Sequence, residues 1–313
     1  MSVRPATGGA SDLFGEPRRY TESEVAAAAG VSVARARRYW RALGYPSVPA
    51  QARELTASDV EVLRVITGYV DDGALAEPDS LRVARLLGQS IAQLARLQLE
   101  ILVDQAGHDG LADATADLMG RVPEMEWLLG RIWQRQLLAA LPALQPRPND
   151  PATTSAVGFA DIVGFTELST NRTDAELTRI VSRFEYQITT IVTEGGGTVV
   201  KLLGDEVLFT ADRAVSVAGI ATRLLDAFAD DPDIQALRIG VAYGPVIHYL
   251  GDVFGTTVNL ASRLTGLTEP GTILAAPEFA EQLSGVPGFG LKHAGTHDVR
   301  GIGPVDPVLV RRL

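Results

Sequence analysis

Apolar residues in the first half of the chain recur every three or four positions, the spacing of helices that bury one face. The pattern predicts helices over 21–29, 31–43, 80–105 and 125–140, and a further helix that begins near Thr56. Trp127 and Trp133 are the bulkiest apolar residues of the last of these helices, so we expect them to anchor it in the core. The first half is therefore predicted to be an all-helical domain over residues 20–140.

The second half has a different pattern, in which short apolar runs alternate with longer amphipathic segments. The runs predict strands over 156–162, 198–203, 206–210, 237–243 and 272–275, with two short strands near 295–310. The amphipathic segments predict helices over 174–194, 212–229 and 255–267. Gly204 and Asp205 are the expected turn of a hairpin between two of the strands. Residues 153–313 are therefore predicted to form a domain of mixed helices and strands.

Proline marks the boundary between the two halves. Four prolines fall between residues 141 and 151, and proline lacks the backbone N–H that a helix needs, so residues 141–152 are predicted to be a linker. Residues 1–19 are mostly small or polar and contain glycine and proline, which is typical of a disordered lead-in. They lack the continuous apolar segment of a secretory signal.

Composition narrows the class of protein. Apolar residues make up 46% and charged residues 21% of the 313, an ordinary balance for a folded protein. The net charge of −10 disfavours non-specific binding to nucleic acid or to an anionic membrane. The chain has no cysteine, which excludes disulfides and thiolate metal sites and fits a cytoplasmic protein. No apolar run reaches the roughly 20 residues of a membrane-spanning helix.

Acidic residues lie where two strands are predicted to end. Asp161 comes at the end of an apolar strand, shortly before Gly164, a placement that suits a metal ligand as well as a helix cap. Lys201 and Asp205 flank the predicted hairpin turn, where they are either solvent-facing or part of a polyphosphate and cation site. Carboxylates on neighbouring strand ends are suited to divalent cations that bridge a triphosphate.

A third group of polar residues begins at Asp252. Asn259 and Arg263 follow it, four residues apart on a predicted helix, so they share one of its faces. An amide and a guanidinium on one face suit a sugar and a phosphate. The alternatives are a loop cap for Asp252 and a surface ion pair for Arg263.

Together these three segments resemble the catalytic domain of class III nucleotidyl cyclases, in the adenylyl branch. The segments are FADIVGFT over 159–166, KLLGDE over 201–206 and DVFGTTVNLASR over 252–263. Asp205 follows Asp161 by 44 positions and precedes Asp252 by 47, and both intervals fit this family. The resemblance covers about residues 153–313 and implies an α+β fold with a ferredoxin-like βαββαβ core.

The resemblance also implies a role for each matching residue. Asp161, Asp205 and the carbonyl of Ile162 would bind two Mg²⁺ or Mn²⁺ ions per site. Lys201 and Asp252 would read the adenine of ATP, because lysine donates to a ring nitrogen and aspartate accepts from the exocyclic amine. Guanine presents an acceptor and a ring N–H instead, so this pair would select ATP.

The reaction itself is implied by the remaining matches. Asn259 would orient the ribose, and Arg263 would stabilise the α-phosphate during attack by the 3′-hydroxyl, giving cyclic AMP and pyrophosphate. Arg300 stands where many relatives have a lysine that contacts the terminal phosphates, so its guanidinium would supply the positive charge there. Two chains would pair head-to-tail as a homodimer, with its sites at the subunit interface.

The helical half indicates regulation. With the cyclase half it resembles actinobacterial adenylyl cyclases whose N-terminal domain is autoinhibitory and responds to pH. In that resemblance the regulator is a proton or a fatty acid, and the histidines available for titration are His108, His248, His293 and His297. The arginine-rich segment 31–43 also resembles the DNA-reading helix of MerR-type regulators. The alternative function is therefore a non-catalytic or DNA-binding regulator that uses a cyclase-like domain for dimerisation.

Overall fold

The computed structural model describes residues 16–106, 110–141 and 154–313, and the chain divides into two units between residues 145 and 146. The division falls within the segment predicted to be a linker, most of which lies outside the described residues. Most of the predicted lead-in, residues 1–15, also lies outside them, as does His108.

The N-terminal unit is built from helices, as the sequence predicted. They are α1 (Glu22–Ala28), α2 (Val33–Ala42), α3 (Ala57–Asp71), α4 (Glu77–Ala106), α5 (Leu111–Gly120) and α6 (Val122–Ala140). A capping box begins α1: the Thr21 N–H donates to the Glu24 carboxylate at 2.8 Å, and the Glu24 N–H donates to the Thr21 hydroxyl at 3.3 Å. Helix α5 was not predicted.

A small core joins the first four helices. Its most buried members include Val25, Tyr39, Leu63 and Ala84, one from each helix. The expectation that Trp127 and Trp133 anchor α6 in a core is wrong, because the two residues are 65% and 63% exposed. Helical spacing marks an apolar face, but burial of that face depends on a neighbour, and α6 packs mainly against the short helix α5 in its own unit.

The C-terminal unit is a mixed sheet with helices packed against it. Its strands are β1 (Thr154–Ile162), β2 (Thr198–Leu202), β3 (Glu206–Ala211), β4 (Leu237–Pro245), β5 (Ile247–Tyr249), β6 (Asp252–Phe254), β7 (Ile273–Ala275), β8 (Phe289–His293), β9 (His297–Val299), β10 (Gly303–Val305) and β11 (Val308–Arg312). Its helices are α7 (Phe165–Thr170), α8 (Asp174–Glu194), α9 (Ala214–Phe228), α10 (Thr256–Leu267) and α11 (Pro277–Leu283).

Seven strands form the main sheet in the order β2-β3-β1-β4-β7-β11-β8, and β5–β6 and β9–β10 are separate two-stranded sheets. Within the first four strands every neighbouring pair is antiparallel. With α8 and α9 as the connecting helices, this is the βαββαβ arrangement of a ferredoxin-like core. The predicted α+β class is confirmed, whereas the short elements α7, α11, β5 and β6 were not predicted.

The sheet buries both of its faces around β4. A Cβ built on Gly240 would lie 2.3 Å from the Ala261 carbonyl oxygen, so glycine lets α10 pack directly against the strand. Ile239 and Val241 point to the opposite face and are fully buried. The core of the unit therefore fixes the position of α10 relative to β1 and β4.

No helix in the described parts of the chain combines the length and the apolar character needed to cross a membrane.

Candidate active site

Three neighbouring strands bring Glu206, Asp161 and Arg238 into one row. The antiparallel register places Asp161, near the end of β1, directly opposite Glu206 on β3 and Arg238 on β4. Cross-strand partners point to the same face of a sheet, so the row presents an acid, a second acid and a base side by side. Asp161 was predicted from its sequence segment, but neither neighbour was singled out.

Arg238 makes the strongest contact with Asp161. Its Nε and Nη2 atoms donate to the same carboxylate oxygen at 2.6 and 2.5 Å. Burial raises the pKa of Asp161 above the ordinary aspartate value; the hydrogen bond and charge of Arg238 oppose this rise, and the charge of Asp205 adds to it. Asp161 is thus a buried carboxylate that is neutralised by a guanidinium.

Asp205 is brought to the same corner of the sheet by the hairpin turn. Gly204 adopts a φ of 77°, a left-handed conformation that favours glycine, and this lets the chain reverse between β2 and β3. The backbone N–H of Ile162 then donates to the Asp205 carbonyl at 3.0 Å, which ties the turn to the end of β1. The backbone of Asp205 therefore lies beside the end of β1, and the charge of Asp205 acts on the Asp161 carboxylate.

Lys201 and Asp252, predicted to read a purine, are in direct contact. The Lys201 ammonium donates to Asp252 Oδ2 at 2.6 Å, while the other carboxylate oxygen accepts the Val253 N–H at 2.8 Å. An irregularity in the β2–β3 register lies between Val199 and Lys201. Lys201 is one of only two lysines in the chain, whose other basic residues of this type are arginines. Its ammonium group is a compact point charge, unlike the planar guanidinium of arginine.

Asn259 and Arg263 lie on the exposed face of α10, while the buried face of that helix packs on the sheet. Within residues 154–313, neither side chain makes a hydrogen bond or an ion pair. Within one chain, these two predicted catalytic residues are therefore not bonded to the predicted metal ligands.

Arg300 is exposed in the turn after β9, and its side chain has no hydrogen-bond or ion-pair partner in the described part of the chain. Its neighbours Gly301 and Ile302 line a cleft of about 660 Å³. Thr256 and Leu260 of α10 line the same cleft, so the helix that carries Asn259 and the turn that carries Arg300 border one space.

Glu206 is a further acidic residue that sequence reasoning did not single out, although it immediately follows Asp205. Burial, and then the charges of Asp161 and Asp205, raise the pKa of Glu206, while Arg238 and Lys201 oppose the rise. No sequence signal connects Arg238 to this group, because it stands on a strand 77 residues away from Asp161. The cluster therefore holds three carboxylates and one close guanidinium.

The donor set fits divalent cations that are shared with a substrate. Mg²⁺ is usually bound by one or two carboxylates and completes its ligands with water and phosphate oxygens. Asp161 and Asp205 offer two such carboxylates at neighbouring strand ends. Among the described residues no three histidine, aspartate or glutamate side chains converge as a ready-made cage, so the remaining ligands have to come from elsewhere.

The arginine-rich helix of the N-terminal unit is largely neutralised within that unit. Arg35 bonds Asp71 and Glu77 at 2.9 and 3.1 Å, and Arg38 bonds Glu77 at 3.0 Å. Arg37 bonds Glu22 at 2.6 Å in the same way. Three of the basic side chains of α2 therefore form ion pairs with carboxylates, which reduces the positive potential available to bind a nucleic-acid backbone.

Comparison with known proteins points to one family. Residues 148–311 match the adenylate and guanylate cyclase catalytic domain. An adenylate cyclase of Streptomyces coelicolor is 40% identical over 285 residues, which cover 87% of this chain and 73% of that protein. An adenylate cyclase of Glutamicibacter nicotianae is 36% identical over 319 residues, 94% of this chain and 79% of that protein. A pH-sensitive adenylate cyclase of Mycobacterium tuberculosis is 34% identical over 170 residues, 53% and 43% of the respective chains.

Proposed function

The chain belongs to the class III adenylate and guanylate cyclases, of the actinobacterial type, and on that premise we propose that it converts ATP to 3′,5′-cyclic AMP and pyrophosphate. The observation that carries the proposal is the contact between Lys201 and Asp252 at 2.6 Å. A lysine donor beside an aspartate acceptor matches adenine, which presents a ring-nitrogen acceptor and an amino donor on one edge. Guanine reverses both groups on that edge.

Asp161 and Asp205 are the proposed ligands of the divalent cations, two Mg²⁺ or Mn²⁺ ions per site, with the carbonyl of Ile162 as a further ligand. When bound, the cations lower the pKa of the ribose 3′-hydroxyl and neutralise charge on the phosphates. The protein holds both carboxylates on strand ends that the sheet fixes, so little reorganisation is needed as charge develops.

Side chains outside the carboxylate pair position the nucleotide. Asn259 orients the ribose, and Arg263 stabilises the α-phosphate while the 3′-hydroxyl attacks in line and pyrophosphate leaves. Arg300 supplies positive charge to the terminal phosphates. Positioning and electrostatic stabilisation supply most of the rate enhancement in this type of reaction, so no side chain has to act as a strong base.

A head-to-tail homodimer is the proposed assembly. Asn259 and Arg263 are exposed and have no side-chain partner in residues 154–313, whereas the two aspartates lie on the sheet of the same unit. In a twofold dimer the aspartates of one subunit complete a site with the α10 residues of the other. Leu97 on α4 and Trp127 and Trp133 on α6 are exposed apolar side chains, which suits their burial by a second chain.

The activity is tested by incubating the purified chain with MnATP or with MnGTP and identifying the products. We expect cyclic AMP and pyrophosphate from ATP, much less product from GTP, and no product from Asp205→Ala. Release of inorganic phosphate without a cyclic nucleotide, or equal activity of Asp205→Ala, would contradict the proposal.

Regulation by the N-terminal unit is the proposed second role of the chain, with a proton or a fatty acid as the regulator. The pH-sensitive mycobacterial relative supports the proton, although its match covers only 53% of this chain. The described histidines His248, His293 and His297 all lie in the C-terminal unit. The test compares the pH–activity profile of the full chain with that of residues 153–313, and identical profiles would contradict regulation by pH through the N-terminal unit.

The alternative, a DNA-binding or non-catalytic regulator, is less well supported. Arg35, Arg37 and Arg38 of α2 are bonded to acidic residues of their own unit. The catalytic unit retains each residue type expected at the cation, purine, ribose and α-phosphate positions, with the change to Arg300 as its one departure. Because ATP is the proposed substrate, the proposed location is the cytoplasm.

A further inference from the structure

Arg238 binds the buried carboxylate that is proposed to hold a cation. The side chain of Asp161 is 13% exposed, and that of Arg238 is 37% exposed. Nε and Nη2 of the guanidinium both donate to the oxygen Oδ2 of Asp161. A divalent cation that approaches this oxygen meets a positive group already bonded to it.

Glu206 lies on the other side of the same carboxylate. The register places it directly opposite Asp161, and among the described residues its side chain has no hydrogen-bond or ion-pair partner. Asp161 thus has an unpaired negative neighbour on β3 and a bonded positive neighbour on β4. In a partly buried cluster such charges interact more strongly than in water, so each changes the free energy of introducing a cation.

A charge effect is a better account of Glu206 than direct ligation. Within the described residues no three acidic or imidazole side chains converge on one point that would hold a metal ion. The two carboxylates of Asp161 and Asp205 remain the ligands, and Glu206 adds a negative potential beside them. Arg238 contributes a potential of the opposite sign at the same carboxylate.

We propose that Arg238 and Glu206 set the cation affinity of the nucleotide-free chain in opposite directions. Arg238 is an internal counter-cation that a divalent ion has to displace from Asp161, and Glu206 is a charge that attracts the ion. Both are positioning residues of the cation site. The inference rests on the proposed function only in taking Asp161 and Asp205 as cation ligands.

Mn²⁺ binding to the full chain without nucleotide tests this inference. The free ion is measured by its electron paramagnetic resonance signal at constant ionic strength, because screening changes such interactions. Arg238→Gln should tighten binding about tenfold, equivalent to about 1.4 kcal/mol, and Glu206→Gln should weaken it by about the same factor. Arg238→Lys keeps the charge and should bind Mn²⁺ with nearly the affinity of the original chain.

A surface ion pair of the same unit supplies matched controls. Arg223 and Glu194 are bonded at 2.5 Å and are 42% and 60% exposed. Arg223→Gln and Glu194→Gln remove the same charges on helices α9 and α8, where neither side chain is bonded to Asp161, so they should leave Mn²⁺ affinity unchanged. Equal effects of the control and test variants would overturn the inference, because net charge alone would then explain the result.

The opposite signs of the two effects separate electrostatic tuning from a structural role. If both Arg238→Gln and Glu206→Gln weaken Mn²⁺ binding, or if Arg238→Gln leaves it unchanged, the inference is overturned.

Thermal unfolding is followed in parallel by circular dichroism. Should Arg238→Gln fail to fold, the double variant with Glu206→Gln removes one charge of each sign and should bind Mn²⁺ within about threefold of the original chain. A tenfold loss in the double variant would equally overturn the inference.

Asp205→Ala distinguishes this inference from the proposed function. If Asp205→Ala binds Mn²⁺ as the original chain does, the carboxylate pair is not the cation site and the proposed function loses its basis. If Asp205→Ala loses Mn²⁺ binding but Arg238→Gln does not tighten it, the cation site stands and only the role of Arg238 fails.

Discussion

Polar residues on the sheet and on helix α10 differ in whether their side chains find hydrogen-bond and ion-pair partners within a single chain. The sheet-borne ion pairs around Asp161 and around Lys201 have bonds of 2.5–2.6 Å. On α10, Asn259 and Arg263 are exposed and have no side-chain partner in residues 154–313. A buried charge without a partner is costly, whereas an exposed one is solvated by water. One group is therefore preorganised by the fold, and the other is free to receive a partner.

This difference indicates what each group requires for function. The sheet positions its carboxylates through backbone register, so their geometry does not depend on a second chain. The α10 residues lie on a helix whose other face packs on the sheet, and in the proposed mechanism they act only when substrate or another subunit reaches them. The two groups should therefore respond differently to substitution, to mixing of subunits and to pH.

Substitution of Asp205 should have the largest effect. Asp205→Ala should lower kcat by 10³-fold or more, about 4 kcal/mol, because a proposed ligand of the divalent cations is removed. The backbone carbonyl that accepts the Ile162 N–H remains, so the thermal unfolding midpoint should change little. Cyclic AMP formation and thermal unfolding are measured together, with the exposed Asp226→Ala as the control. An active Asp205→Ala variant would contradict the proposed role of the sheet carboxylates and, with it, the functional difference between them and the α10 residues.

Arg263→Ala should lower kcat by about 10²- to 10³-fold, the loss expected when a transition-state contact is removed. The side chain is exposed and unpaired within residues 154–313, so the variant should unfold at the same temperature as the original chain. Arg223→Ala, at an exposed ion pair, is the control. A large loss of stability in Arg263→Ala would show that the residue has a structural role.

Mixing inactive subunits tests whether the two groups combine across chains. Asp161→Ala and Arg263→Ala mixed in equal amounts, under conditions that allow exchange, should regain about a quarter of the original activity. Half of the dimers are then mixed, and each has one intact site, as twofold symmetry requires. Activity is measured as cyclic AMP formation after exchange. No recovery, despite exchange shown by a tagged subunit, would contradict a shared site.

Lys201→Met should change selectivity more than stability. The variant removes the donor that Asp252 holds in place, so the preference for ATP over GTP in kcat/KM should fall by about ten- to a hundredfold. Lys292→Met, at the only other lysine of the chain, is a matched control and should keep the preference. An unchanged preference in Lys201→Met would show that the pair does not read the base.

The smallest expected effect is on pH dependence. Burial raises the pKa of Asp161, and a cation binds its ionised form, so protons should compete with Mn²⁺ for this carboxylate. On acidification, Mn²⁺ affinity should fall at a pH above the ordinary aspartate pKa of about 3.9. Affinity without nucleotide is measured across a pH series in which folding is checked at each point. A midpoint at or below 3.9 would contradict the predicted environment of Asp161.

Long periodic elements could be predicted from the sequence, whereas several short ones, among them α7 and α11, could not. Helix α8 begins and ends where its apolar spacing predicted, at Asp174 and Glu194. Helices α7 and α11 have six and seven residues, too few for a periodic signal. Isolated helices of that length are unstable in water, so tertiary contacts decide whether they form. The exposure of Trp127 was missed for a related reason. The spacing of apolar residues identifies the apolar face of a helix, but it does not show whether another element packs against that face.

The order of residues within single elements was enough to single out the side chains that are proposed to form the active site. Asp161 comes at the end of an apolar strand, and Asn259 and Arg263 share a helix face because they are four residues apart. These relations lie within one element, where backbone geometry fixes side-chain direction.

The tertiary structure alone decided that Arg238 meets Asp161. The two residues are 77 positions apart in the sequence. The Arg238 contact depends on the register of β1 against β4, in which a slip of one residue would turn every side chain of a strand to the other face. That register is set by burial of the whole sheet, a non-local property, and so the counter-charge of Asp161 could not be found from its own segment of sequence.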